Sequence, residues 1–119
     1  MMIGMTWLVV ADAGRARVFQ TPGLTLDLLE KESLINTEYT GTMLTEKDRE
    51  KFAKRVAQHL EAGRLHQLYN RLRLAIEPKF LGMVKADLSE ETRRLIFDQT
   101  SEDLSTLNAR EIEARLRRH

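Results

Sequence analysis

Trp7, Leu8, Val9 and Val10 form an unbroken apolar run that stops at Asp12-Ala13-Gly14. Four such residues with no polar alternation read as a strand buried within a sheet, here Thr6 to Ala11. Gly14 is free to take a positive φ, so Asp12-Ala13-Gly14 reads as a hairpin turn. Arg15 to Gln20 then alternates polar and apolar side chains, as a second strand with one solvated face does, and ends at Thr21-Pro22-Gly23. Leu24, Leu26 and Leu28 alternate in turn and predict a third, antiparallel strand ahead of Glu30-Lys31-Glu32. The chain therefore opens on an antiparallel meander.

The remainder mixes helix and strand signals. Residues 33 to 44 have no clean period and read as a connecting loop. Thr45 is placed to cap a helix running to about Leu65, with Phe52, Ala53, Val56, Ala57 and Leu60 as its apolar stripe. Leu72, Leu74 and Ile76 predict a fourth strand ending at Glu77-Pro78, where proline removes a ladder donor. Phe80 to Leu88 marks a short helix, and Ser89 starts another turn. Leu95 to Phe97 reads as a fifth strand, and Asn108 with Glu111 as the capping box of a last helix. A strand, helix, strand unit crosses over right-handed, which lays the fourth strand parallel to the first. The expectation is one α/β domain over residues 1–119, with a mixed five-stranded sheet and helices on its faces.

At 119 residues the chain has room for one core. It contains no cysteine, which rules out disulfide partners, thiolate metal sites and thiol nucleophiles. Its apolar start is short, broken by Gly4 and Thr6, and runs straight into Asp12, so neither a signal peptide nor a membrane span is expected and the cytoplasm is the expected compartment. Charge is uneven: Lys and Arg stand at 10 against 6 Asp and Glu over residues 45–88, but at 3 against 5 over residues 1–44. Arg115, Arg117, Arg118 and His119 add a second cationic stretch. Both features suit a polyanionic partner.

Four groups of side chains bear chemistry. Arg15 and Arg17 share one face of the second strand and together would clamp a phosphate or carboxylate. Lys47, Lys51, Lys54 and Arg55 lie along the outer side of the first long helix, where they would follow an RNA backbone or simply be solvated. Asp12, Glu77 and Asp98 fall at or near the carboxyl ends of three strands expected to be neighbours, where α/β sheets place ligands. Three carboxylates there would hold magnesium for phosphoryl hydrolysis, although each is also ordinary in its local setting. Lys79, next to the fourth strand's end, would touch an anion. His59 and His66 are seven residues apart, about 10 Å along a helix, and would not share a metal. No phosphate loop, nucleophile elbow or zinc spacing is present, and apart from magnesium in that alternative no cofactor is expected.

Three segments, in order, carry a likeness: Trp7 to Phe19, Pro78-Lys79-Phe80-Leu81-Gly82, and Asp103-Leu104-Ser105-Thr106-Leu107. Together they resemble the host attachment family, proteins required for attachment to host cells. The resemblance implies a fold similar to the central domain of eukaryotic-type peptide-chain release factors, a ribonuclease-H-like sheet, and through it a role near the ribosome or RNA. The expected function is a non-enzymatic binding module contacting its partner through Asp12, Arg15, Arg17, Lys79 and the basic helix. The alternatives are a metal-dependent phosphoryl hydrolase using Asp12, Glu77 and Asp98, or a homodimer built by pairing an exposed meander edge with its copy.

Overall fold

The strand that carries the apolar run is the middle of the sheet. In the computed structural model, which describes residues 4–38 and 44–118, β1 (Met5–Ala11) is flanked by β2 (Arg15–Pro22) and β4 (Arg71–Ile76). β3 (Leu29–Ile35) and β5 (Ile96–Thr100) form the edges, giving the order β3-β2-β1-β4-β5. β1 is antiparallel to β2 and β2 to β3, whereas β4 is parallel to both β1 and β5. The five-stranded mixed sheet and the parallel crossover follow the sequence expectation.

Both faces of β1 are covered, which explains why its side chains do not alternate. Trp7, Val9 and Ala11 pack with Leu72, Leu74 and Ile76 beneath α1 (Glu46–Leu65) and α2 (Pro78–Asp87). Leu8 and Val10 point the other way, joining Phe19, Ala75 and Leu104 under Ile112 and Leu116 of α4 (Ala109–Leu116). Each large apolar side chain so buried contributes about 2 kcal/mol. Phe52 of α1 and Phe80 of α2 stack with ring centroids 5.6 Å apart, joining the two helices over the sheet. α1 lies close on β1 because residue 63 is glycine: a Cβ there would sit 2.7 Å from the Trp7 ring.

The helix starts are local chemistry realised as expected. Thr45 and Asn108 complete capping boxes with Asp48 and Glu111, and Ser89 caps α3 (Glu90–Arg93) by accepting from Thr92 N. α2 starts differently: Glu77 turns its carboxylate onto its own helix and accepts from Lys79 N and Phe80 N, both at 3.0 Å.

Two expectations are corrected. The third strand is not the leucine alternation but the stretch after it, so residues 33–35, expected to be loop, are its last three. Leu26 and Leu28 instead pack from an irregular segment onto the α4 side of the core. The true edge strand is almost wholly exposed, so no hydrophobic period marks it. Residues 39–43 of the expected loop lie outside the described residues. The second correction concerns the first hairpin. Among the described residues the glycine with positive φ is Gly23, at 53°, not Gly14. The 12–15 turn is closed by Asp12, whose Oδ1 accepts from Gly14 N at 2.8 Å and Arg15 N at 3.0 Å.

Candidate functional site

The parallel pairing of β1 and β4 brings their carboxyl ends side by side, and Glu77 N donates to Ala11 O at 3.1 Å just beyond them. The 12–15 turn and the start of α2 therefore meet at this edge. The 103–107 segment joins them from the α4 side, anchored by fully buried Leu104. Ser105 Oγ lies 2.6 Å from Asp103 Oδ1 and 3.4 Å from Asp12 Oδ2. A hydroxyl has one proton to give, and the nearer carboxylate takes it. The Ser105 hydroxyl, helped by its own amide, holds the Asp103 carboxyl below the usual aspartate range against the opposing pull of burial.

Arg17 is the keystone of this edge rather than a free clamp. It is 7% exposed and grips Glu30 of β3 with both carboxylate oxygens, Nε to Oε2 at 3.0 Å and Nη2 to Oε1 at 2.9 Å. Nη1 donates to Leu107 O at 2.5 Å and Ser105 O at 3.3 Å, and the guanidinium lies 4.9 Å from the Phe19 ring centre. Four of its donor directions are thus consumed inside the protein. The Arg17 hydrogen bonds, with the nearby charges of Arg17 and Arg15, hold Glu30 below its ordinary value although burial works against them. Arg15 shares the face, as the alternation predicts, but stays exposed, with Nε on Ser33 Oγ at 2.9 Å.

The structure does not bring the three acids together. Asp98 pairs across β5 and β4 with Arg73, Oδ2 to Nε at 2.7 Å, and Arg73 precedes Glu77 by four residues, about 13 Å of strand. Asp12 and Glu77 are turned into their own turn and helix cap. Among the described residues no group of three or more His, Asp and Glu side chains is disposed to hold a metal ion.

The basic helix residues divide. Lys47, Lys51 and Lys54 form one exposed row along an open groove of about 420 Å³ between α1 and α2, floored by Met83 and Ala86 and shared with Glu50 and Asp87. No ion pair among the described residues engages these three lysines. Arg55 leaves the row to donate to Ile35 O at 2.8 Å, and Lys79 pairs with Glu46 at 3.2 Å across the helix starts. His59 lies against the Trp7 ring and 3.2 Å from Glu32, while His66 caps α1, so the two histidines are apart as expected.

Sequence reasoning left Glu30, Asp103 and Ser105 without a role. The Asp-x-Ser spacing of 103–105, in which an aspartate accepts from the amide two residues on, was the available signal. Nothing local announces that Glu30 meets Arg17.

A mixed sheet covered by helices on both faces, with the 12–15 turn, the start of α2 and the 103–107 segment gathered at the carboxyl ends of β1 and β4, defines a small α/β domain. The chain belongs to the family described as protein required for attachment to host cells, whose model matches residues 36–116. That span takes in the Pro78 to Gly82 and Asp103 to Leu107 segments, while the Trp7 to Phe19 segment precedes it. No curated protein matches the chain. No helix among the described residues is long and apolar enough to cross a membrane.

Proposed function

We propose that this chain is a non-enzymatic binding module that engages RNA, on the ribosome in the first instance, through the lysine side of α1. The observation that carries the reading is the row Lys47, Lys51 and Lys54, free of ion pairs among the described residues and lining an open groove of about 420 Å³ that they share with Glu50 and Asp87. Each lysine that neutralises a phosphate releases a counterion, so such contacts add affinity without asking for sequence. Arg15, whose guanidinium spends only Nε, on Ser33, among the described residues, is a second contact on the same reading. The strand order, with three antiparallel strands followed by two parallel ones, supports a likeness to the ribonuclease-H-like central domain of release factors by fold analogy alone. In this reading the module works in the cytoplasm, and attachment to host cells is a downstream consequence of that binding.

Co-sedimentation of the full chain with ribosomes over a series of salt concentrations tests it. Wild type co-migrates at low salt and dissociates as salt rises, and the Lys47→Ala/Lys51→Ala/Lys54→Ala variant shows a log-log salt slope smaller by about 2. Wild type that stays at the top of the gradient at every salt concentration defeats the proposal, as does a triple variant with an unchanged slope.

A further inference from the structure

The opposite end of the sheet, where β1 and β4 begin, carries four of the six large apolar side chains that the described residues leave exposed. These are Leu24, Leu65, Leu68 and Phe97, at 65%, 68%, 51% and 46% exposure. The chain path places them there. Gly23 N donates to Gly4 O at 2.6 Å, setting Leu24 over the entry to β1. Leu68 N donates to Gly63 O and Asn70 N to Met5 O, both at 2.9 Å, so the turn bearing Leu65 and Leu68 abuts the same entry from the α1 side. Leu72 N donates to Leu95 O at 2.8 Å, which starts β5 and Phe97 beside them. Two apolar pairs thus straddle the end of the sheet, one on each face.

Cations surround them. Arg71 opens β4, Arg93 closes α3 just ahead of β5, and Arg117 and Arg118 follow α4, whose Leu116 borders Leu24 and Phe97. None of these four arginines has an ion pair among the described residues. The nearby carboxylates Glu90 and Asp98 are already committed to Arg94 and Arg73. Glu113, one turn before Arg117, accepts from Leu28 N at 2.8 Å, and Asp27 and Glu91 have no ion pair among the described residues.

The geometry points to an anionic lipid surface as the occupant of this end. A small ligand needs a concave seat, and the crevice between Leu24 and Phe97 has a volume of about 10 Å³, room for a single water. Protruding apolar side chains with arginines behind them suit a fluid interface instead. The leucines and Phe97 reach the acyl boundary while the guanidinium groups meet headgroup phosphates. The docking is peripheral and uses a surface separate from the α1 lysines, so it stands whether or not those bind RNA.

Sedimentation of the full chain with two kinds of vesicle tests this: phosphatidylglycerol mixed with phosphatidylcholine, and phosphatidylcholine alone. The expected result is binding to the mixed vesicles, weak or no binding to the neutral ones, and a loss of about tenfold in partitioning for Leu65→Ser/Leu68→Ser. The variant's circular dichroism spectrum and urea midpoint establish that it is folded. Arg117→Ala/Arg118→Ala, at two exposed positions, weakens binding and its salt dependence together. The lysine triple variant keeps its vesicle binding. No binding to the mixed vesicles overturns the proposal and leaves an acidic protein segment as the better search. Equal binding to both vesicles overturns it too, as does lipid binding that survives the leucine changes but fails in the lysine variant.

Discussion

The two ends of this sheet solve opposite problems. At the carboxyl ends of β1 and β4, where ligands of α/β folds usually sit, Asp12, Glu77, Arg17 and Asp103 all spend their polar atoms on the protein itself. At the amino ends, leucines protrude and Arg71, Arg93, Arg117 and Arg118 have no ion pair among the described residues. Position in a fold is thus a poor guide to a site unless the side chains there still have bonds to give. The crowded end holds the structure together, and the sparse one keeps its capacity for binding.

The largest test of that contrast is Arg17→Ala. It strips Glu30 of its partner and two carbonyls of their donor, and a loss of about 3 kcal/mol in urea unfolding is expected. A loss below about 1 kcal/mol would mean the crowded end is not the structural one. Asp12→Ala opens the first hairpin and should cost about 1 to 2 kcal/mol in the same assay, with Asp12→Asn milder because one acceptor oxygen remains.

Acid should attack the same end. Glu30 and Asp103 both titrate below their ordinary values in the folded chain. Their contribution is therefore fully present above the unfolded carboxylate range, about pH 4, and is lost as pH falls through the lower folded values. Urea midpoints taken from pH 6 down to pH 3 should decline, and Glu30→Gln should decline less steeply than wild type.

At the open end, effects on stability should be small. Gln67 holds φ at 57° in the turn between α1 and β4, a conformation that glycine adopts without strain. Gln67→Gly should stabilise by about 0.5 to 1 kcal/mol, read as a shift of the urea midpoint. Leu65→Ser/Leu68→Ser should cost less than about 0.5 kcal/mol of stability in the same assay, and a larger loss would mark the leucines as packing residues.

What could be read in the sequence depended on the range of the interaction. Thr45, Ser89 and Asn108 were legible as caps because each side chain meets an amide three residues away. The two-sided burial of β1 was legible because it leaves an unbroken apolar run. β3 was not, since an edge strand with Glu30, Lys31 and Glu32 at its centre carries the charge that discourages edge pairing and erases any period. The leucines that did alternate serve an irregular crossing of the other face. Arg17 looked available because its carbonyl partners, Ser105 and Leu107, lie 88 and 90 residues away. The acidic trio failed through register: opposing Asp98 to Arg73 rather than to Glu77 is decided by how β5 slides against β4.

The central position of β1 also sets the order in which the chain can fold. Its pairing with β2 closes a short loop, Ala11 facing Ala16, while its pairing with β4 begins with Thr6 facing Arg71 and must wait for everything between. A chain that has formed its hairpin but not its crossover presents the bare edge of its most apolar strand to other molecules. Refolding yield should therefore fall with protein concentration well before the equilibrium stability does, and newly made chains are most vulnerable until β4 arrives.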